Sequence, residues 1–333
     1  MHICFRRVRR ALLVCAALPI LCAVSCTDST SGAREDGGPT ATTDGTGVPW
    51  SDVSSDATSE DTPVPESDAG ALETSDSEAS TGGGACTGPG YGSVSPSSVT
   101  VGTITATVLD VSDGAVTGHA VFVCGIDLCS SPATTGPDGS VSVGGGGHGY
   151  KEPAFKFGDG LAYGQFAIPL AAGATAMGTV HTARLPTTGA ALAPGSAPES
   201  GPLTLTIAAG AAVLIDTLTY ETADSQMLRI AELPIAKASV EPALGLERVF
   251  AAAPLATTIC PPAKARIANT AGWPAGAGVE VYVHGLDVGE GFAPFGGWAK
   301  VSDAQVTSDG AAIETSEGGG LPLLTTFAIK RKP

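Results

Sequence analysis

The chain has 333 residues, with 33 Asp and Glu against 17 Lys and Arg, for a formal net charge of −16. An excess of negative charge this large excludes nucleic acid and anionic lipid headgroups as partners, because both would be repelled. The 45 Gly and 24 Pro interrupt the chain too often for long helices, since each costs about 1–3 kcal/mol inside one, and an all-β architecture is expected instead.

Four arginines (Arg6, Arg7, Arg9, Arg10) precede an apolar stretch over residues 11–24. A basic segment, a short apolar segment and small residues, in that order, are the layout of a secretory signal peptide. The apolar stretch falls short of the roughly 20 residues that span a bilayer. Residues 1–25 are therefore expected to be removed. Ala23, Val24 and Ser25 lead directly to Cys26, and this tetrad resembles the lipobox of bacterial lipoproteins. The resemblance implies that Cys26 becomes the lipidated N-terminus, held by two or more acyl chains, because one chain alone binds only marginally. Thr27, standing where an Asp would signal inner-membrane retention, implies the outer membrane of a Gram-negative-type bacterium. The other reading of the same run is an ordinary cleaved signal.

Residues 27–85 carry 13 Asp and Glu against the single Arg34, with Trp50 as their only aromatic residue. A segment so poor in apolar side chains cannot offset the entropy of ordering. Residues 26–85 are thus expected to form a disordered acidic tether, roughly 40–45 Å between its ends as a flexible coil.

From residue 94 onward, short β-type runs alternate with turn pairs. One covers residues 100–109 before Asp113-Gly114, a second 116–124, a third 140–143 after Asp138-Gly139, and a fourth 161–170. Strict alternation in Thr105-Ala106-Thr107-Val108 and in Thr204-Leu205-Thr206-Ile207 predicts half-buried strands. The Asp-Gly pairs between runs predict hairpin turns. The length left after the tether suits two β-sandwich domains in tandem. Their boundary is expected near Gly173, giving residues 86–173 and 174–333.

The runs at 105–110, 118–124 and 135–140 are similar to a transthyretin-type or carboxypeptidase-regulatory-like domain, which implies a small sandwich. In the second unit, residues 203–212, Trp298-Ala299-Lys300-Val301, 308–313 and 320–329 resemble the zonula-occludens/netrin-receptor β-sandwich. Ala208-Ala209-Gly210-Ala211 departs from that family by lacking its proline. Both resemblances imply scaffolds and contact surfaces, and neither implies a particular reaction.

Of the eight cysteines, Cys4, Cys15 and Cys22 lie in the signal and Cys26 at its end, which leaves Cys86, Cys124, Cys129 and Cys260. In an oxidising compartment four cysteines allow three disulfide connectivities. The short gap favours Cys124 with Cys129, leaving Cys86 for Cys260. The rival is a zinc site built from Cys124, Cys129, His119 and His148, but neither histidine has a recurring ligand spacing, so no metal and no cofactor are expected. Residues 144–149 contain a glycine-rich G-x-G-x-x-G match, but no helix start follows it, and a nucleotide needs one. No G-x-S-x-G, S-x-x-K or H-E-x-x-H occurs, and His119, His148, His181 and His284 read as structural. Asp287 and Glu290 are a thin calcium candidate.

One local feature stands out in a chain with 3 Trp and 9 Phe. Phe292, Phe295 and Trp298 cluster on a Gly/Pro loop. Aromatic rings there supply a contact patch for a protein or glycan, or else cap the sandwich. A mixed arrangement is expected, with Trp298 in the core and Phe292 or Phe295 near the tip. Together these features point to a non-catalytic, lipid-anchored envelope protein that displays its sandwiches for structural or recognition roles. The alternative is an envelope hydrolase acting on polysaccharide or peptide through paired carboxylates.

Overall fold

The computed structural model describes residues 88–91, 97–287, 289 and 291–333. Cys26, the expected tether, Cys86 and Glu290 lie outside the described residues. Among the described residues the regular elements are β-strands and a single 3₁₀ turn, Pro242–Leu244, so the all-β expectation holds. No described helix is long and apolar enough to cross a membrane.

Two facing sheets build the first half. In one, β2 (Thr103–Asp110) lies between β5 (Ser140–Gly144), antiparallel to it, and β9 (Ala176–Thr182), parallel to it. The other runs in the order β4 (Ala133–Thr134), β3 (Ala120–Cys124), β7 (Ala154–Phe157), β8 (Phe166–Pro169). A short pair of β1 (Ser98–Thr100) with β6 (Gly149–Lys151) closes one side. Alternation decides which side chains enter. Along β2, Ile104, Ala106 and Val108 are buried while Thr103 and Thr105 are exposed. The inward set joins Val121, Val123, Phe155, Phe157 and Phe166 in one core.

The second half is one eleven-stranded sheet. Its path begins at β10 (Glu199–Ser200) and β11 (Leu203–Thr206), and passes through β15 (Thr257–Ala268), β18 (Ala312–Thr315), β17 (Trp298–Val306) and β16 (Gly278–His284). It ends on β20 (Phe327–Arg331), β14 (Arg248–Ala253) and β13 (Arg229–Leu233). The long β15 also pairs with β12 (Ala212–Leu214) and β19 (Leu321–Leu324), its register shifting between Thr258 and Ala263. The sheet curls on itself, because residues from both ends of the path, Leu205 and Ile230, share one core with Val281, Ile313 and Phe327. The two ends also touch directly, as the Ile230 N–H donates to Ser200 Oγ at 2.9 Å.

Strand β14 ties the halves together. All six of its residues are buried. Phe250 and Ala252 face the core of the curled sheet, whereas Val249, Ala251 and Ala253 join the core of the first half. A strand covered on both faces reads as a continuous apolar run, and Val249-Phe250-Ala251-Ala252-Ala253 is one. The described strands belong to one compact unit, Thr74–Pro333.

Sheet pairing does not change at Gly173. Residues 171–174 form a turn in which the Ala174 N–H reaches the Ala171 carbonyl at 3.1 Å, and β9 beyond it rejoins β2. A parallel partner can be reached only through a long crossover, so the strand after this turn still belongs to the first sheet. The pairing changes between residues 182 and 199.

Candidate functional site

The aromatic loop joins β16 to β17, and its backbone folds tightly on itself. Gly285 N–H donates to the Gly297 carbonyl at 3.0 Å, and Gly296 N–H donates back to the Gly285 carbonyl at 2.8 Å. Gly285 is required by this approach, since a Cβ there would lie 2.1 Å from the Pro294 carbonyl oxygen. The fold sends the three rings of the loop to three places. Phe292 is buried in the core of the curled sheet. Phe295 is half-buried beside Ala154, Ala167 and Leu286. Trp298, also half-buried, packs on the core of the first half.

The expected arrangement is thus changed at Phe292, which the core takes, while Phe295 and Trp298 are each half-buried. Residues 88–90 lie against the backbone of this loop. Gly90 N–H donates to the Gly291 carbonyl at 3.1 Å, and Gly88 sits so close that a Cβ would meet that oxygen at 2.1 Å.

His284 holds Trp298 in place. The two rings stack at 4.6 Å between centroids and 26° between planes. His284 Nδ1 lies 2.8 Å from the Gly297 carbonyl, so it carries the proton and donates, while Nε2 accepts the Ala167 N–H at 3.1 Å. Both nitrogens are committed to backbone from opposite sides. Burial pushes the imidazole down to about 4, and it is neutral at ordinary pH.

Trp298 forms one wall of a groove of about 650 Å³, within the roughly 300–1,000 Å³ typical of ligand sites. Strand β8 contributes Ile168 and Pro169, and β9 contributes Met177 and Val180. Residues 238–244 supply Val240 and Leu244 from the far side, with Pro294 beside the tryptophan. Glu241 is the single ionisable residue of the lining.

A second concavity of about 210 Å³ has the opposite character, with Asp159, Asp216 and Asp287 gathered beside Lys156, Gln165 and Tyr220. Each carboxylate serves its own loop. Asp159 Oδ1 accepts the N–H groups of Leu161, Ala162 and Tyr163 at 2.9, 2.8 and 2.9 Å, and its Oδ2 meets His119 Nδ1 at 3.1 Å. Asp216 accepts from Thr219 Oγ1 at 2.6 Å and from Leu218 N–H at 3.0 Å, which holds its carboxyl below the usual range. Asp287 accepts from Gly289 N–H at 3.1 Å. Tyr220 OH accepts the Leu255 N–H at 2.7 Å, and burial pushes its phenol up to about 12. Lys156 Nζ donates to the Leu286 carbonyl at 3.0 Å.

Cys124 and Cys129 form the expected disulfide, so neither is a thiolate ligand. Cys260 is disulfide-bonded as well, while Cys86 lies outside the described residues. Residues 144–149 make the turn from β5 to β6, with Gly146 and Gly147 at φ 65° and 72°. Among the described residues no group of three or more His, Cys, Asp or Glu side chains is arranged to hold a metal ion. His181 pairs with Asp113 at 3.0 Å, while His148 is exposed. Sequence reasoning singled out Trp298 but missed His284 beneath it and the opposing walls from β8, β9 and residues 238–244.

No family model matches this chain, and no curated protein does. Among solved structures, the chain is similar to one titled "The Bacillus anthracis TIE protein" at 11% identity and a TM-score of 0.21, over 70% of this chain and 45% of that one.

Proposed function

We propose that the protein is a non-catalytic recognition module of the bacterial envelope, lipid-anchored through Cys26 in the outer membrane and binding its partner in the Trp298 groove. The observation that carries this reading is the indole fixed by His284 at the wall of an apolar groove. Anchors of this kind supply most of the binding energy at interfaces when a rigid aromatic fills or walls a pocket.

The polar pocket supports the same reading against a hydrolase. Two acids that work on a glycosidic bond must face the substrate with an oxygen each. Asp159 and Asp216 engage both oxygens within the fold, which leaves Asp287 as the one carboxylate of the three with an uncommitted oxygen. The anchor is supported by the order of basic, apolar and small residues ending on Cys26.

A cell fractionation tests both parts. Cys26→Ala should move the protein from the detergent phase to the soluble fraction, and that soluble form should still bind envelopes from cells lacking the protein. Adding Met177→Lys to it should abolish this binding. Retention of Cys26→Ala in the detergent phase would contradict the anchor, and undiminished binding by the Met177→Lys form would contradict the groove.

A further inference from the structure

The groove does not end at β9. On the other side of that strand the outer face of the first sheet carries a regular array of hydroxyls. Thr105 stands opposite Ser142 and Thr107 opposite Ser140 across the β2–β5 pair, and Thr107 stands opposite Thr179 across the β2–β9 pair. Same-face neighbours lie about 6.7 Å apart along a strand, and adjacent strands about 4.8 Å apart. These five residues line a shallow concavity of about 630 Å³ also lined by Ala176, with a single methyl, and Gly178, with no side chain, which keep the face low. Thr179 belongs to this concavity and to the Trp298 groove alike. The two surfaces are one strip.

Three properties of the strip select a ligand. First, hydroxyls are open: Thr105 donates to the Thr175 carbonyl and Ser140 to Asp138, but no hydrogen bond ties Thr107, Ser142 or Thr179 Oγ to another described residue. Second, the strip is almost uncharged. In a chain of net charge −16, Glu241 is the one ionisable residue in the two linings. An anionic polymer or a basic peptide would find no set of counter-charges here, and burying its charges unpaired is costly. Third, one end is lined by the half-buried indole of Trp298, and large planar rings give contact area without a directional polar demand.

From these we infer that the strip binds a neutral polysaccharide chain. One sugar ring would lie on the indole of Trp298, and the following residues would hydrogen-bond the hydroxyls of Thr179, Thr107 and Ser142. A sugar presents both an apolar C–H face and a rim of hydroxyls, the two chemistries that the strip sets side by side. This inference rests on the recognition reading above and names the class of partner.

The test is co-sedimentation of the full chain, in detergent, with amorphous cellulose, chitin and an insoluble β-1,3-glucan, with the anionic polymer alginate in solution as competitor. Retention on at least one neutral polysaccharide, undiminished by alginate, is expected. Trp298→Ala should weaken retention about tenfold or more, the loss typical of an aromatic anchor. Thr179→Lys and Ser142→Lys, both at exposed positions, should weaken it with the thermal unfolding curve unchanged. They keep the test decisive if Trp298→Ala fails to fold. Absence of retention on all three polysaccharides, displacement by alginate, or equal retention by both lysine variants would overturn the inference. A photo-cross-linker at Thr179 on intact cells separates the two levels. Capture of a protein together with no retention on the polysaccharides would remove the glycan and leave the recognition reading standing. Neither capture nor retention would remove both.

Discussion

The two concavities of this protein differ in what their polar groups do. Around the small polar pocket, three aspartates accept hydrogen bonds from the loops that carry them, and Tyr220 accepts one from the distant Leu255 N–H. Around the Trp298 groove, the polar side chains are few and the strip beside it keeps the hydroxyls of Thr107, Ser142 and Thr179 open. A pocket rich in carboxylates is thus the less available of the two for paired-acid chemistry, because Asp159 and Asp216, with both oxygens engaged, would have to release a partner to act. The groove is poorer in functional groups yet better suited to binding, since its one large ring is fixed from below and its walls come from four separate segments.

That contrast can be broken most visibly by acid. In the unfolded chain the imidazole of His284 titrates near 6.5, and in the fold burial lowers it to about 4. Between these values the unfolded state binds more protons, so stability rises with pH. The contribution is fully present above pH 6.5 and is lost as the pH falls toward 4, about 3 kcal/mol in all. Urea denaturation at pH 7 and pH 4.5 should show this loss, and His284→Gln should flatten it. A wild-type profile identical to that of His284→Gln would mean that the support beneath Trp298 is not the neutral, buried imidazole described here.

On the polar side the effect should appear as stability with no change in binding. Asp159→Ala removes the acceptor of three backbone N–H groups, and about 2–3 kcal/mol of stability should go with it. Differential scanning calorimetry measures the loss, and envelope binding by the folded fraction should be unchanged. A folded Asp159→Ala protein that no longer binds envelopes would shift the site to the polar pocket.

The Cys124–Cys129 disulfide closes a loop with a sequence separation of 5, for which chain entropy gives about 2 kcal/mol. Because Cys260 is disulfide-bonded too, the bond is removed selectively by Cys124→Ser with Cys129→Ser, which should lower the unfolding midpoint accordingly, and peptide mapping without reductant reports the bond itself. Stoichiometric zinc in the purified protein would contradict it. The smallest effect on stability belongs to the hydroxyl face. Thr107→Val or Ser142→Ala should change it by no more than about 0.5 kcal/mol, as for other surface positions, so any larger thermal shift would show those hydroxyls to be structural.

Much of the fold was legible because alternation is a local signal. Thr105-Ala106-Thr107-Val108 reads outward and inward by turns, and Ala106 and Val108 are inside. The disulfide was legible from a short gap in a four-cysteine set. The site was legible only in part. Trp298 announced itself by rarity, but the groove needs Ile168, Met177 and Val240 opposite it, more than fifty residues away in the chain, and no spacing rule reports such a meeting. His284 looked like any lone histidine, because its two backbone partners, Ala167 and Gly297, come from different strands and loops. Strand β9 was hidden for a related reason. Its partner is the parallel β2, so no hairpin signal marks it, and a turn at 171–174 passed for a boundary.

The most direct test of recognition at the groove compares the two concavities on living cells. A photo-cross-linking residue is placed at Thr179, shared by the groove and the hydroxyl face, and in a second strain at Thr219, on the polar pocket. The account predicts a cross-linked envelope species from Thr179 and none from Thr219. Cross-linking from Thr219 alone would contradict it.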